Sequence, residues 1–124
     1  MEAYLKILLD QLELIQNVPA PTFAEHERAK LIQQEYSKFG LEEVYRDDIG
    51  NVYGFLPGGK EKAIVISAHL DTVHANVVPH IIHKLSETWS APGLGDNSLA
   101  LAAQFAMISF LQKQEKSPGT WANF

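Results

Sequence analysis

Residues 63–68, AIVISA, constrain the fold more than any other stretch of this chain. A strand with one face in water alternates apolar and polar side chains, so a run without alternation is the pattern of a strand covered on both faces. Strands of that kind belong to mostly parallel sheets with helices packed on each side. Directly after the run comes HLDTV, which sets His69 and Asp71 two residues apart. On an extended backbone, side chains two apart point the same way. Both therefore project from the end of the strand, where α/β sheets open into the crevice that holds their ligands.

The segments around the strand supply the helices. Leu5, Leu8, Leu9, Leu12 and Ile15 recur at three-and-four spacing and predict an amphipathic helix over 3–16. Pro19 and Pro21 stop it. Thr22 and Glu25 then form a T-x-x-E capping box that announces a second helix, with Ala29, Ile32, Tyr36 and Phe39 on its buried stripe and Gly40 as its left-handed stop. EEVYRD (42–47) and NVYGFL (51–56) read as a hairpin turned by Asp48, Gly50 and Asn51. PGGKEK is a further turn, and the stretch around VVPHIIHKL reads as a short strand or irregular loop. APGLGDNS is a Gly-rich turn that leads into LALAAQFAMISFLQ (99–112), apolar nearly all round, as suits a helix inside an α/β domain. KQEKSPG is a surface turn, and TWANF opens another strand. The fold expected is α/β, a three-layer αβα arrangement on a mostly parallel sheet, within one domain spanning 1–124.

Composition excludes several classes of function. The net charge is −5, and the ten basic residues are scattered without a run, so no nucleic-acid partner is expected. No apolar stretch reads as long enough to cross a bilayer, and acids interrupt the apolar residues of the N-terminus, so neither a membrane span nor a secretory signal is expected. Cysteine is absent, which rules out disulfides and thiolate ligands. A cytoplasmic location is the expectation, and any metal must be held by His, Asp and Glu. There is no G-x-S-x-G elbow, and LPGGKEK lacks the frame of a phosphate-binding loop.

Two constellations remain. A neutral imidazole at His69 is a good zinc ligand, the more so if its other nitrogen donates to a carboxylate. Asp71 can be that carboxylate or a ligand itself, and ordinary loop hydrogen bonds are the plainer alternative for both. In GLGDNS, Asp96 immediately precedes the apolar helix, where a carboxylate can serve as an N-cap. Held at a crevice, it can also bridge two cations, as two-metal hydrolases require. His74, His80 and His83 read as partly exposed loop histidines, His26 as a solvated residue of the second helix, and Glu42 and Glu43 as a solvated strand face.

The order of these pieces resembles a known family. A leading helix, PAPTFAEHERA, DDIGNVYGFLPG, a buried strand into HLDTV, then GLGDNS into an apolar helix look like the start of family twenty of the metallopeptidases. That dizinc group includes carboxypeptidase G, peptidase T, acetylornithine deacetylase and aminoacylases. The resemblance implies that His69 ligates one zinc, that Asp71 orients that imidazole as the candidate catalytic residue, and that Asp96 bridges the two metals. It also implies a cis peptide bond after Asp96, here before Asn97. Manganese or cobalt suits the same ligand types.

Family members continue into a Glu-Glu pair that supplies the general base and a further ligand, then a later acid and a final histidine. Past Asp96 this chain has Glu115 as its one acid and no histidine. No smaller lid or dimerisation domain is expected within these residues. The expectation is an N-terminal fragment of a zinc-dependent peptidase or amidohydrolase acting on peptide or N-acyl amino-acid amide bonds, inactive alone and prone to self-association through an exposed sheet edge. The alternative is a non-catalytic α/β binding or interaction module that keeps the scaffold.

Overall fold

The computed structural model describes residues 1–58, 62–114 and 120–123, the last four as backbone. Helix α1 spans Glu2–Gln16 and buries its C-terminal half, Leu12 and Ile15 together with Gln11 and Gln16. Helix α2 spans His26–Lys38 and buries Ala29, Ile32 and Tyr36, as its periodicity predicts. The capping box does not form. The Thr22 hydroxyl donates to Asp71 instead, and Glu25 Oε1 accepts from the Phe23 amide, so the helix starts four residues after the threonine. Its C-terminus does end as expected. With Gly40 at φ +77°, the Leu41 amide reaches Tyr36 O and the Gly40 amide reaches Ser37 O, the paired bonds of a Schellman motif.

Strands β1 (Glu42–Arg46) and β2 (Val52–Leu56) form the expected antiparallel hairpin. Asp47 closes its turn: the carboxylate accepts hydrogen bonds from the Ile49 and Asn51 amides, the Asn51 side chain and the Tyr53 hydroxyl. Partial burial pushes the Asp47 carboxyl up, but these four donors outweigh it and hold the group below its ordinary value. Strand β3 is Ala63–Ile66. A two-stranded ribbon follows, β4 (His83–Lys84) and β5 (Trp89–Ser90). It is fixed to α1 by the Lys84–Glu13 ion pair, with the Lys84 ammonium over the Trp89 ring. A π-helical turn, Leu94–Ser98, leads into α3, Leu99–Gln112, and Thr120–Asn123 forms β6.

The main sheet has the order β1-β2-β6-β3. Of its three pairings only β3 with β6 is parallel, so the mostly parallel sheet expected from the sequence is a mixed one. Two causes combine: the short turn joining β1 to β2 is too brief for a crossover, and β6, inserted between β2 and β3, runs antiparallel to β2. Nor is β3 covered on both faces. Ile64 is 47% and Val65 50% exposed, and β3 borders the sheet with β6 as its one neighbour among the described residues. An unalternated sequence reports the cover a strand is built for, and these residues do not supply it.

All three helices bury into one core. Leu12 and Ile15 of α1, Ile32 and Tyr36 of α2, Leu101, Phe105 and Ile108 of α3, and Val52 and Leu56 of β2 belong to a single cluster. Phe105 is its centre, its ring 5.4 Å from that of Tyr36 and 4.9 Å from that of Phe39. Gly54 of β2 is required by closeness: a Cβ there would lie 2.6 Å from Leu41 Cδ1 and 2.9 Å from Tyr36 Cδ2. Among the described residues the helices cover the face of β2 that carries Val52, Gly54 and Leu56. Tyr45 and Tyr53 stack 4.6 Å apart across the hairpin.

The π-turn and α3 together, Leu94–Gln112, make a 19-residue helix that by length and composition alone could cross a bilayer, contrary to the expectation from sequence. Leu101, Ala102, Phe105 and Ile108 are instead buried in the protein core. Parts of PGGKEK (59–61) and KQEKSPG (115–119) lie outside the described residues.

Candidate metal centre

The chain leaves β3 at Ile66 and pairs again at Thr72, which forms an isolated parallel bridge with Pro21. The Thr72 amide donates to Ala20 O (2.8 Å) and the Thr22 amide to Thr72 O (3.2 Å). Arg28 ties the same two segments from below, Nε to Val18 O and Nη1 to Leu70 O, both at 2.9 Å. Its side chain is 1% exposed. Burial lowers the guanidinium pKa to about 10, and the nearby Asp71 charge opposes that shift, so Arg28 stays charged at neutral pH. A buried charge persists only where polar partners replace its water, and here two carbonyls do so.

Held in this way, HLD presents its side chains as the two-residue spacing predicts. His69 Nδ1 lies 3.0 Å from both Asp71 Oδ1 and the Asp71 carbonyl. Both neighbours are acceptors, so Nδ1 carries the proton. The other Asp71 oxygen accepts the Thr22 hydroxyl at 2.6 Å. That bond is the leading cause holding the Asp71 carboxyl below its ordinary value. Partial burial opposes it, and His69 adds to it.

The second motif reaches the first through Gly93. At φ +73°, with a Cβ position 2.7 Å from Thr72 Oγ1, it admits only glycine, which lets the Gly-rich turn lie against the HLDT loop. Asp96 follows (φ −138°, ψ 83°). The Asp96–Asn97 peptide is cis, as the family resemblance implies. Asn97 Nδ2 donates to His69 O at 3.3 Å. Asp96 does not cap α3; the N-cap residue is Ser98, which makes no side-chain capping bond. Asp96 Oδ1 instead faces His69 Nε2 at 2.9 Å.

The structure thus brings His69, Asp71 and Asp96 together. With Nδ1 protonated, a neutral His69 turns the lone pair of Nε2 toward a carboxylate oxygen. Two such acceptors face each other comfortably only with a cation or a shared proton between them. Two ligands about 2.0–2.1 Å from a tetrahedral ion stand roughly 3.3 Å apart, so the observed separation needs to open by only a few tenths of an ångström. These residues fit a zinc ion. Among the described residues, however, no group of three or more His, Cys, Asp or Glu side chains is arranged to hold one ion. Among the described residues, His69 and Asp96 would supply two of the four positions of a tetrahedral ion.

The site borders a cleft of about 780 Å³ between the start of α2, the β1–β2 turn and residues 67–71. His69 and Asp71 line it, with Phe23 and Ile49, both exposed, at its margin. His26 lines the same cleft and faces Arg46 Nη1 at 3.2 Å, and His83 is exposed in β4. His80 corrects the expectation of a partly exposed loop residue: it is 8% exposed, and its Nε2 has no partner among the described residues. Glu42 and Glu43 are exposed, as read. Sequence reasoning missed Thr22 and Arg28 as parts of the site. Arg28 was detectable, since it lies four residues before Ile32 on the buried stripe. Thr22 was not, because its place in T-x-x-E gave it a helix-capping explanation.

The profile of peptidase family M28 matches residues 51–122. No curated protein matches the sequence. Among solved structures, the aminopeptidase PepT from Bacillus cereus ATCC 10987 superposes with a TM-score of 0.78 at 24% identity, over 95% of this chain and 35% of that one. Aminoacylhistidine dipeptidase from Vibrio alginolyticus superposes with a TM-score of 0.72 at 23% identity, over 94% of this chain and 26% of that one. The chain therefore spans about a third or less of the proteins whose fold it shares. These two superpositions show a shared fold.

Proposed function

The chain belongs to peptidase family M28, and on that premise we propose that it forms the N-terminal part of a zinc-dependent peptidase or amidohydrolase. The substrates of the complete enzyme are peptides or N-acyl amino acids, cleaved at an amide bond. One observation carries this reading: the His69 ring, its Nδ1 held by Asp71, turns Nε2 to within 2.9 Å of Asp96 Oδ1. His69 and Asp96 are the residues that would hold metal, zinc by preference and manganese or cobalt by ligand type. Bound zinc supplies Lewis-acid polarisation of an amide carbonyl and activation of water.

The chain's own residues prepare that chemistry without completing it. Asp71 keeps the proton on Nδ1, so that Nε2 is free to bind and its basicity is raised. Asp96, with its side chain 83% exposed, has its second oxygen available to a second ion. The cleft beside them offers room for a substrate. Among the described residues no general base accompanies these side chains, and two ligands hold zinc weakly, so no substrate turnover by the chain alone is expected. The remaining ligands and base, and the helices that would complete a three-layer αβα domain over β3, are not among the described residues. A cytoplasmic location fits the cysteine-free composition.

Zinc titration of the pure chain by calorimetry, with His69→Ala and Asp96→Ala alongside, tests the proposal. Weak binding by the parent, at least tenfold weaker in either variant and unaccompanied by dipeptide or N-acetyl amino-acid hydrolysis, is expected. Chelator-sensitive turnover by the pure chain would refute the incomplete-site reading. A parent that binds no zinc would leave the non-catalytic module in its place.

A further inference from the structure

Asp71 has two carboxylate oxygens, and the structure assigns each a separate task. Oδ1 lies 3.0 Å from His69 Nδ1, while Oδ2 accepts the Thr22 hydroxyl at 2.6 Å. The hydroxyl is not free to wander. The Thr22 amide is bound to Thr72 O, and the neighbouring bond from the Thr72 amide to Ala20 O completes the bridge. A β-branched side chain on a fixed backbone has few χ1 options. Arg28 adds a third tie, spanning Val18 O and Leu70 O, so both sides of the contact move as one body. Helix capping does not account for Thr22, because α2 begins only at His26.

We propose that Thr22 is a positioning residue, whose hydroxyl fixes the Asp71 carboxylate so that the His69 imidazole keeps its proton on Nδ1 and turns Nε2 toward Asp96. The functional meaning of this arrangement rests on the reading of His69 as a metal ligand. The arrangement itself does not. Without the hydroxyl, Oδ2 faces solvent, since the Asp71 side chain is 31% exposed, and the carboxylate keeps His69, its own backbone amide and the nearby Arg28 charge but loses its one side-chain tie to the Thr22 segment. It can then rotate about its terminal torsion, whose potential is broad, and the preference for one imidazole tautomer weakens.

The test uses the 124-residue chain with ring-¹⁵N-labelled histidine, comparing parent, Thr22→Val, Thr22→Ala and Thr22→Ser. His69→Gln assigns the signal. Ring ¹⁵N shifts are recorded at pH 9, above the ordinary imidazole range, in solution or in sedimented samples. The parent and Thr22→Ser should show the Nδ1–H form. Thr22→Val and Thr22→Ala should shift the tautomer ratio roughly fivefold toward Nε2–H, the effect of losing one typical hydrogen bond. Cobalt affinity should fall roughly three- to tenfold in the same two variants and return in Thr22→Ser, less than the 10–100-fold typical of losing a ligand's direct partner. A merely structural role would alter the melt and leave the tautomer ratio unchanged. Parental tautomer ratios in both hydroxyl-free variants would overturn the proposal, as would failure of Thr22→Ser to restore the ratio. If Thr22→Val does not fold, Thr22→Ala decides. If the parent binds no cobalt, the metal reading falls and the tautomer ratios still decide the role of Thr22.

Discussion

Replacing Phe105 by alanine should cost about 4 kcal/mol of folding stability. The ring is fully buried and contacts two other aromatic rings, Tyr36 at 5.4 Å and Phe39 at 4.9 Å between centroids. Truncating a buried Phe typically costs about 3–5 kcal/mol, the transfer term plus the cavity left behind. The centre of the range is appropriate because Phe105 meets α2 as well as its own helix, and walls fixed from two elements collapse poorly into a void. Domains of this size are stable by on the order of 5–15 kcal/mol, so the loss is a large share of the total. With a urea m-value of about 2 kcal/mol per molar, the midpoint should fall by roughly 2 M. Far-UV circular dichroism at several protein concentrations reads the transition and separates unfolding from dissociation. Phe105→Leu should cost only about 1–1.5 kcal/mol, since it keeps most of the volume. The consequence reaches the site, because Phe105 anchors the helix that directly follows Asp96. A midpoint shift below about 0.5 M for Phe105→Ala would refute the placement of α3 at the centre of the core.

Other perturbations reach other parts of the molecule. Val65, half exposed in the bordering strand β3, should mediate self-association. Val65→Lys should shift sedimentation-velocity profiles from oligomer toward monomer, and a parent that is monomeric throughout would contradict this. Gly54→Ala should lose about 1–2 kcal/mol by urea titration, because its methyl would lie 2.9 Å from Tyr36 Cδ2; an unchanged midpoint would show that α2 and β2 are farther apart. The Asp47 carboxyl sits below its ordinary value of 3.8 in the folded chain, so the stability it adds is complete above that value and is lost as pH falls through the folded one. The gap in stability between the parent and Asp47→Ala should therefore be constant near pH 6 and close below pH 3.8. A gap that widens on acidification would reverse the sign.

Local structure was largely legible in the sequence, because periodicity and turn chemistry act over a few residues. The helix stripes, the Gly40 stop, the hairpin and the strand of TWANF all depend on such short-range signals. The pairing of His69 with Asp71 was legible for the same reason. Longer-range facts were not. That β6 inserts between β2 and β3, making the sheet mixed, depends on pairing across more than fifty residues. That Thr22 turns to Asp71 rather than to its own helix depends on a loop about fifty residues later. Arg28 shows a further limit, since burial of a charge is decided by which carbonyls come within reach. The exposure of Ile64 and Val65 is instructive in the opposite sense. Their sequence describes a covered strand, and the cover is not among the described residues.

The central claim is that His69 and Asp96 form half of a zinc site, and anomalous diffraction at the zinc edge from zinc-soaked crystals of the chain tests it most directly. A peak is expected between His69 Nε2 and Asp96 Oδ1, with Asp71 remaining on Nδ1. Zinc bound elsewhere, with the imidazole still bonded directly to Asp96, would contradict it.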